Sequence, residues 1–221
     1  MEIKYLGCSS FLIKEKIEDV EVKVLIDPFN NSHSSYKIGK LSADIVTVSH
    51  QHEDHNNLET LENSDYFLAT TPGEYEVKFL KFYGYKSFHD DSKGKERGDN
   101  TIFVYDFPTA SICHLGDLGH DLSGDIDIDL GDIDILMIPV GGHYTLPFKK
   151  VKEVIDSIDP RIVIPMHYQT DKQYTGTDLI TLEEYLNKTG VQKDIQDILK
   201  IKTLNDFTAD GEIIPLKIQS K

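Results

Sequence analysis

Cysteine is scarce. Cys8 and Cys113 are the two thiols in 221 residues, too few to staple a secreted scaffold, so an apolar core must hold the chain together. Long apolar runs are missing too: the longest are strand-sized, far short of the roughly 20 residues that cross a bilayer as a helix. The opening Met1-Glu-Ile-Lys-Tyr-Leu has neither the basic nor the apolar region of a secretory leader, and together these lacks predict a cytoplasmic protein with no membrane partner. Positive charge is in short supply. Lys and Arg number 23 against 38 Asp and Glu, a formal net charge of −15, which repels a long nucleic acid. Lys93, Lys95 and Arg97 are the nearest thing to a basic cluster. No Pro-, Gly- or Ser-rich linker and no repeat divides the chain, and its length suits one well-filled core, so a single domain over 1–221 is expected.

What the chain does have is histidine, concentrated. His50-Gln-His52-Glu-Asp54-His55 packs three imidazoles and two acids into six residues directly after the apolar run Asp44-Ile-Val-Thr-Val-Ser49. That run reads as a buried strand, so the cluster falls on the loop at its C-terminal end, where α/β proteins place their chemistry. Imidazole with carboxylate suits zinc, and also manganese, iron or nickel, whereas an all-oxygen set would suit calcium or magnesium. His50 and His52 can turn to one side together, while Asp54 and His55 face a second position. Six residues hint at two metals and cannot saturate both.

The same pattern recurs. Val22-Lys-Val-Leu-Ile26 delivers Asp27; Ser111-Ile-Cys113 delivers His114-Leu-Gly-Asp117; Ile135 to Val140 delivers Gly141-Gly142-His143; Arg161 to Met166 delivers His167. With Leu25-Ile-Asp27-Pro28, Pro72-Gly-Glu-Tyr-Glu76, Phe88-His89-Asp90, Arg97-Gly98 and Ile164-Pro-Met-His167-Tyr168, these segments resemble the metallo-β-lactamase superfamily from Gly7 to about Gln169. The resemblance is to its compact hydrolase branch, related to ascorbate-6-phosphate lactonases and lacking a cap domain.

The resemblance implies an α/β fold, a four-layer αββα sandwich. It implies that one metal takes His50, His52 and His89, that a second takes Asp54, His55 and His167, and that Asp117 bridges them. Both ions are expected to be divalent, zinc foremost. A metal-bound hydroxide would then cleave an ester, lactone or phosphoester bond of a small molecule, anionic in some relatives, with Asp54 and His167 as catalytic residues. Phosphodiesterase or nuclease action on nucleotides or nucleic acid is an alternative, as is a non-catalytic metal-binding protein. Compact relatives often associate, so a homo-oligomer is a further expectation.

Other residues take supporting or bland readings. Asp27 and His114 are expected behind the ligands, fixing their orientation. His143, Tyr144 and Arg97 are candidate substrate contacts, on a rim built from Gly141–Thr145 and the segment Phe82–Asn100. His33 and His120 read as surface residues. Cys8 stands where relatives often carry histidine and reads as a packed thiol rather than a nucleophile. Asp125-Ile-Asp127-Ile-Asp129 imitates a calcium loop, but its sixth and twelfth positions are Leu130 and Leu136, so that geometry fails. Val151, Val154, Ile155 and Ile158 predict a helix over Phe148–Ile158 stopped by Pro160. Thr181 and Glu184 predict a capping box, with Gly190 at that helix's end. The tail reads as edge strands over Ile198–Leu204 and Ile213–Ile218.

Overall fold

Successive residues of a strand point to opposite faces, and the first three strands follow this rule. In β1 (Glu2–Gly7), β2 (Ser10–Ile17) and β3 (Val20–Ile26), Ile3, Tyr5, Phe11, Ile13, Val22, Val24 and Ile26 join one core. Leu6, Leu12 and Leu25 join another on the far side. β4 (Ile45–Thr47) and β5 (Phe67–Ala69) extend this sheet in parallel beside β3. The computed structural model describes residues 1–30, 36–122, 129–170, 179–207 and 211–219. His33, Asp125 and Asp127 lie outside them, while Asp129 is exposed.

The second sheet begins as an antiparallel meander of β6 (Gly73–Val77), β7 (Leu80–Phe88), β8 (Asp99–Asp106) and β9 (Ser111–His114). It then turns parallel through β10 (Ile135–Pro139) and β11 (Ile162–Met166). The tail does supply edges, but short ones: β12 (Leu199–Lys200) beside β1 and β13 (Glu212–Ile213) beside β11. Between them Leu204–Asp206 turns into a 3-10 helix.

β10 and β11 are buried along their whole length, as parallel strands are when a crossover helix covers their outer face. That helix is α1 (Phe148–Ile158), which closes at Asp159 in a left-handed conformation (φ 53°) just before Pro160. α2 (Leu182–Thr189) starts with the expected reciprocal cap. Thr181 Oγ1 accepts the Glu184 N–H at 3.1 Å, and Glu184 Oε2 accepts the Thr181 N–H at 2.9 Å. Phe148 and Tyr185 join α1 to α2, their rings 6.1 Å apart.

The sandwich is the expected one, and its two outer layers are unlike. Among the described residues both α-helices belong to the second sheet's side. The first sheet's outer face is covered by Phe29, Ile38 and Ala43 with Leu41, Leu58 and Leu61, around the 3-10 turn Leu58–Thr60. No described helix is long and apolar enough to cross a membrane.

Candidate metal centre

Asp27, first residue after β3, organises the histidine-rich loop. Its carboxylate accepts the Ser49 N–H at 2.7 Å, the Ser49 hydroxyl at 2.6 Å and the His55 Nδ1–H at 2.9 Å, all buried. Since the Ser49 proton goes to the carboxylate, the same hydroxyl must accept from His50 Nδ1, 2.9 Å away. Both rings are thereby fixed with Nδ1 protonated and Nε2 turned towards Asp117. The Ser49 carbonyl also accepts the Thr101 N–H at 2.8 Å, tying this loop to the second sheet.

The second sheet brings the other members. His89 follows β7, Asp117 follows β9 and His167 follows β11. Asp117 Oδ2 lies 3.2 Å from His89 Nε2, 3.2 Å from His167 Nε2, 3.3 Å from His55 Nε2 and 3.9 Å from His50 Nε2. Asp54 Oδ2 lies 3.7 Å from His55 Nε2 and 3.9 Å from His167 Nε2. His52, the exposed member, sets its ring edge-on to those of His50 and His89, with centroids 4.6 and 5.1 Å away. The donor atoms sort into three overlapping groups, His50/His52/His89, His50/His55/Asp117 and Asp54/His55/His167, each within 4.8 Å. All seven expected residues therefore meet, from both sheets.

Two close backbone approaches make this possible. A Cβ on Gly119 would stand 2.4 Å from the His89 carbonyl carbon and oxygen, and one on Gly141 would stand 2.2 Å from the His167 carbonyl oxygen. Cys8, Asp27, His143 and His167 hold left-handed backbone, with φ of 51°, 43°, 51° and 51°. Each non-glycine residue held so costs on the order of 1–3 kcal/mol, a strain that gathers at functional sites.

The charges are mutually dependent. Burial opposes charge on His55, but the Asp117 and Asp54 carboxylates outweigh it and hold its pKa well above the usual value. His167 is raised in the same way, against burial, chiefly by Asp117. Burial and the neighbouring His55 charge push His50 down to about 3. Burial disfavours charge on Asp117 and Asp54 also, yet His167 and His55 hold both below the usual carboxylate range.

This donor set fits divalent metal on structural grounds. His50 Nε2 and His55 Nε2 are buried with no hydrogen-bond partner and belong to the Asp117 group. A buried donor or acceptor left unmatched costs about 1–3 kcal/mol, and imidazole nitrogen with carboxylate oxygen is the chemistry of zinc and its first-row neighbours.

The supporting residues divide. Asp27 sits where expected. His114 does not reach a histidine of the cluster: its Nε2–H donates to the Ser9 carbonyl at 2.8 Å and its Nδ1 accepts the Gly116 N–H at 3.2 Å. It acts one step further back, since Ser9 Oγ donates to Asp117 Oδ1 at 3.3 Å. His120 is no surface residue. It is half-buried, and its Nε2 accepts the Phe88 N–H at 3.1 Å, holding the strand end that carries His89. Cys8 is buried, as expected, and its carbonyl accepts the His167 N–H at 2.8 Å.

Asn100 was not legible in the sequence. Its Oδ1 accepts the Asp117 N–H at 3.0 Å while its Nδ2 donates to Ser87 Oγ and to the Leu115 carbonyl; a polar residue at the start of an apolar strand was the available signal. The rim is also narrower than Phe82–Asn100, because Phe82–Phe88 pairs within β7 and Asp99–Asn100 within β8, leaving 89–98 as the loop. Arg97, His143 and Tyr144 do come together: Arg97 Cζ lies 4.3 Å above the Tyr144 ring, and His143 meets that ring edge-on at 4.2 Å.

Known proteins are similar in sequence and fold. Residues 2–167 match the family described as the beta-lactamase superfamily domain. A UPF0173 metal-dependent hydrolase of Staphylothermus marinus is 30% identical over 195 residues, covering 76% of this chain and 83% of its own. A crystal structure from Thermotoga maritima, assigned as a Zn-dependent hydrolase candidate of the metallo-beta-lactamase superfamily, superposes with a TM-score of 0.76 at 30% identity over 99% of both chains. The metallo hydrolase Igni18 of Ignicoccus hospitalis, at 20% identity and TM-score 0.61 over 86% of this chain and 90% of its own, shares the fold. By its family match and by its 30% identity to full-length relatives, the chain belongs to the metallo-β-lactamase superfamily and groups with its hydrolases.

Proposed function

We propose that the chain is a metal-dependent hydrolase with a binuclear centre that cleaves an ester, lactone or phosphoester bond of a small molecule. The position of Asp117 carries this reading: one carboxylate oxygen within 3.2–3.9 Å of four imidazole nitrogens is where two ions would share a ligand. His50, His52 and His89 would hold one ion, Asp54, His55 and His167 the other, with Asp117 between. Bound divalent ions supply Lewis acidity and bring the pKa of water near 7.

The chain's own residues do the rest. Asp54, whose side chain is 23% exposed, is open enough to accept a hydrogen bond from the attacking water and hold it in line with the substrate. His167 stands beside it and fixes the substrate oxygen. Water's oxygen joins the acyl or phosphoryl centre, the C–O or P–O bond to the leaving group breaks, and a proton passes to the departing oxygen. Asp27, His114, Ser9 and Asn100 keep ring orientations and the Asp117 carboxylate fixed through the reaction.

The test is metal analysis of the purified protein together with a hydrolysis screen of lactones, phosphodiesters and phosphorylated sugars. Close to two equivalents of metal and turnover of one class are expected; absence of bound metal under metal-replete conditions would sink the proposal.

Metal uptake should also release protons. His55 and His167 are raised in the metal-free protein, against burial and chiefly by the Asp117 carboxylate, which favours their charged forms, and ligation requires neutral imidazole. A raised pKa favours the metal-free fold below the ordinary histidine value, and this is lost as pH rises through the raised one. Metal affinity should therefore strengthen over that same interval. Calorimetric titration in buffers of differing ionisation enthalpy should report proton release on metal binding that shrinks as pH rises.

Asp27→Ala is expected to weaken metal binding about ten- to a hundredfold, the ordinary cost of losing a residue that orients a ligating ring. Competition against a chromogenic chelator measures it, and affinity like that of the wild type would remove Asp27 from this role.

A further inference from the structure

We infer that the substrate carries a second anionic group, a carboxylate or phosphate set apart from the bond that is cut, and that Arg97 on its Tyr144 platform receives it. The inference rests on the hydrolytic reading of the cluster.

The chain has two arginines. Arg161 is committed, its Nε 3.4 Å from Asp134 Oδ1; Arg97 makes no ion pair among the described residues, although acids outnumber bases throughout the molecule. An exposed arginine is ordinarily a solvated one. Arg97 differs because its backbone and its guanidinium are both held. Asp90, next to His89, accepts four backbone N–H groups, from Ser92 and Gly94 at 2.9 Å, Glu96 at 3.0 Å and Arg97 itself at 2.8 Å. The loop is closed by the Gly98 N–H to Gly94 and the His89 N–H to Gly98, at 3.0 and 3.1 Å.

From the other side, Tyr144 belongs to the turn that starts at Gly141, whose backbone lies against the His167 carbonyl. The stack of Arg97 on Tyr144 thus joins the loop that follows His89 to the turn that lies against His167. A guanidinium lying on a ring leaves its N–H groups in the plane, the fork that matches a carboxylate or phosphate. In a protein of net charge −15 an anionic substrate is repelled except where a local cation draws it in. Asp90 is then a positioning residue for Arg97.

The probes are mono-4-nitrophenyl adipate and its ω-carboxamide, identical except for the distal charge, and adipate itself. Zinc-loaded wild type should prefer the carboxylate ester in kcat/KM by on the order of ten- to a hundredfold, Arg97→Gln should bring that ratio towards one, and Arg97→Lys should fall between. Calorimetry with the metal-free protein should show adipate binding weakened at least about tenfold in Arg97→Gln. Asp90→Asn should raise KM for the carboxylate ester more than for the carboxamide; an equal rise would make Asp90 merely structural. An unchanged ratio in Arg97→Gln, or adipate binding that is absent in the wild type or indifferent to the substitution, overturns the inference. If neither ester is cleaved while adipate still binds through Arg97, the hydrolytic reading of these esters fails and the anion site stands.

Discussion

Asp117→Asn should strip most of the bound metal and lower kcat/KM by on the order of a thousandfold or more, beyond the ten- to hundredfold cost of losing a supporting partner. The reason is local. Asp117 Oδ2 faces four imidazole nitrogens at 3.2–3.9 Å, and an amide in its place loses the charge that would offset a bound cation. It also removes the larger of the two carboxylate influences that hold His55 and His167 above their ordinary pKa, leaving Asp54, so both shift down in the metal-free protein. The substitution is nearly isosteric, and Asn100 and Ser9 still meet the residue at 3.0 and 3.3 Å, so the protein should fold. Elemental analysis beside steady-state kinetics checks it; two equivalents of metal with near-normal turnover would refute the bridging role.

Gly119→Ala should be strongly damaging for a single added methyl. The added carbon would stand 2.4 Å from the backbone of His89, and neither partner is a side chain that can swing away. Overpacking of this kind costs roughly 3 kcal/mol at the upper end of its range, or about 6–12 °C of melting temperature for a chain of this size. Displacing His89 should also cost metal affinity. Gly142→Ala is the contrast: nothing lies within 4 Å of its added carbon, and only its φ of 73° opposes the change, a penalty of about 1–2 kcal/mol. Thermal melts of both variants with and without zinc decide the matter, and equal melting temperatures would remove the backbone approach as the cause.

Much of this was legible in the sequence because local rules and tertiary demands agree. The helix from Phe148 to Ile158 falls where its apolar spacing and Pro160 put it, and the Thr181–Glu184 cap forms as spelled. The cluster from His50 to His55 is a local motif with few other uses. His89 was harder, since one histidine after a strand says nothing of what it faces; its partners His50, His52 and Asp117 follow β4 and β9, and only the packed sandwich brings them near. The roles of Asn100, Ser49 and His120 are hidden for a related reason. Each works through hydrogen bonds to residues distant in the sequence, and no periodicity or spacing records such bonds. The make-up of the first sheet's outer layer is not legible: Ile38, Leu41, Leu58 and Leu61 cover it from loop and 3-10 turn, and irregular backbone leaves no period to read.

The cluster draws on strand ends from both sheets, the last being β11 with His167. No chain shorter than 167 residues carries the whole set, so until β11 has been made the earlier residues can offer an ion only part of its surroundings. His167 completes the cluster from the second sheet. A fully formed centre is thereby a record that both sheets have come together.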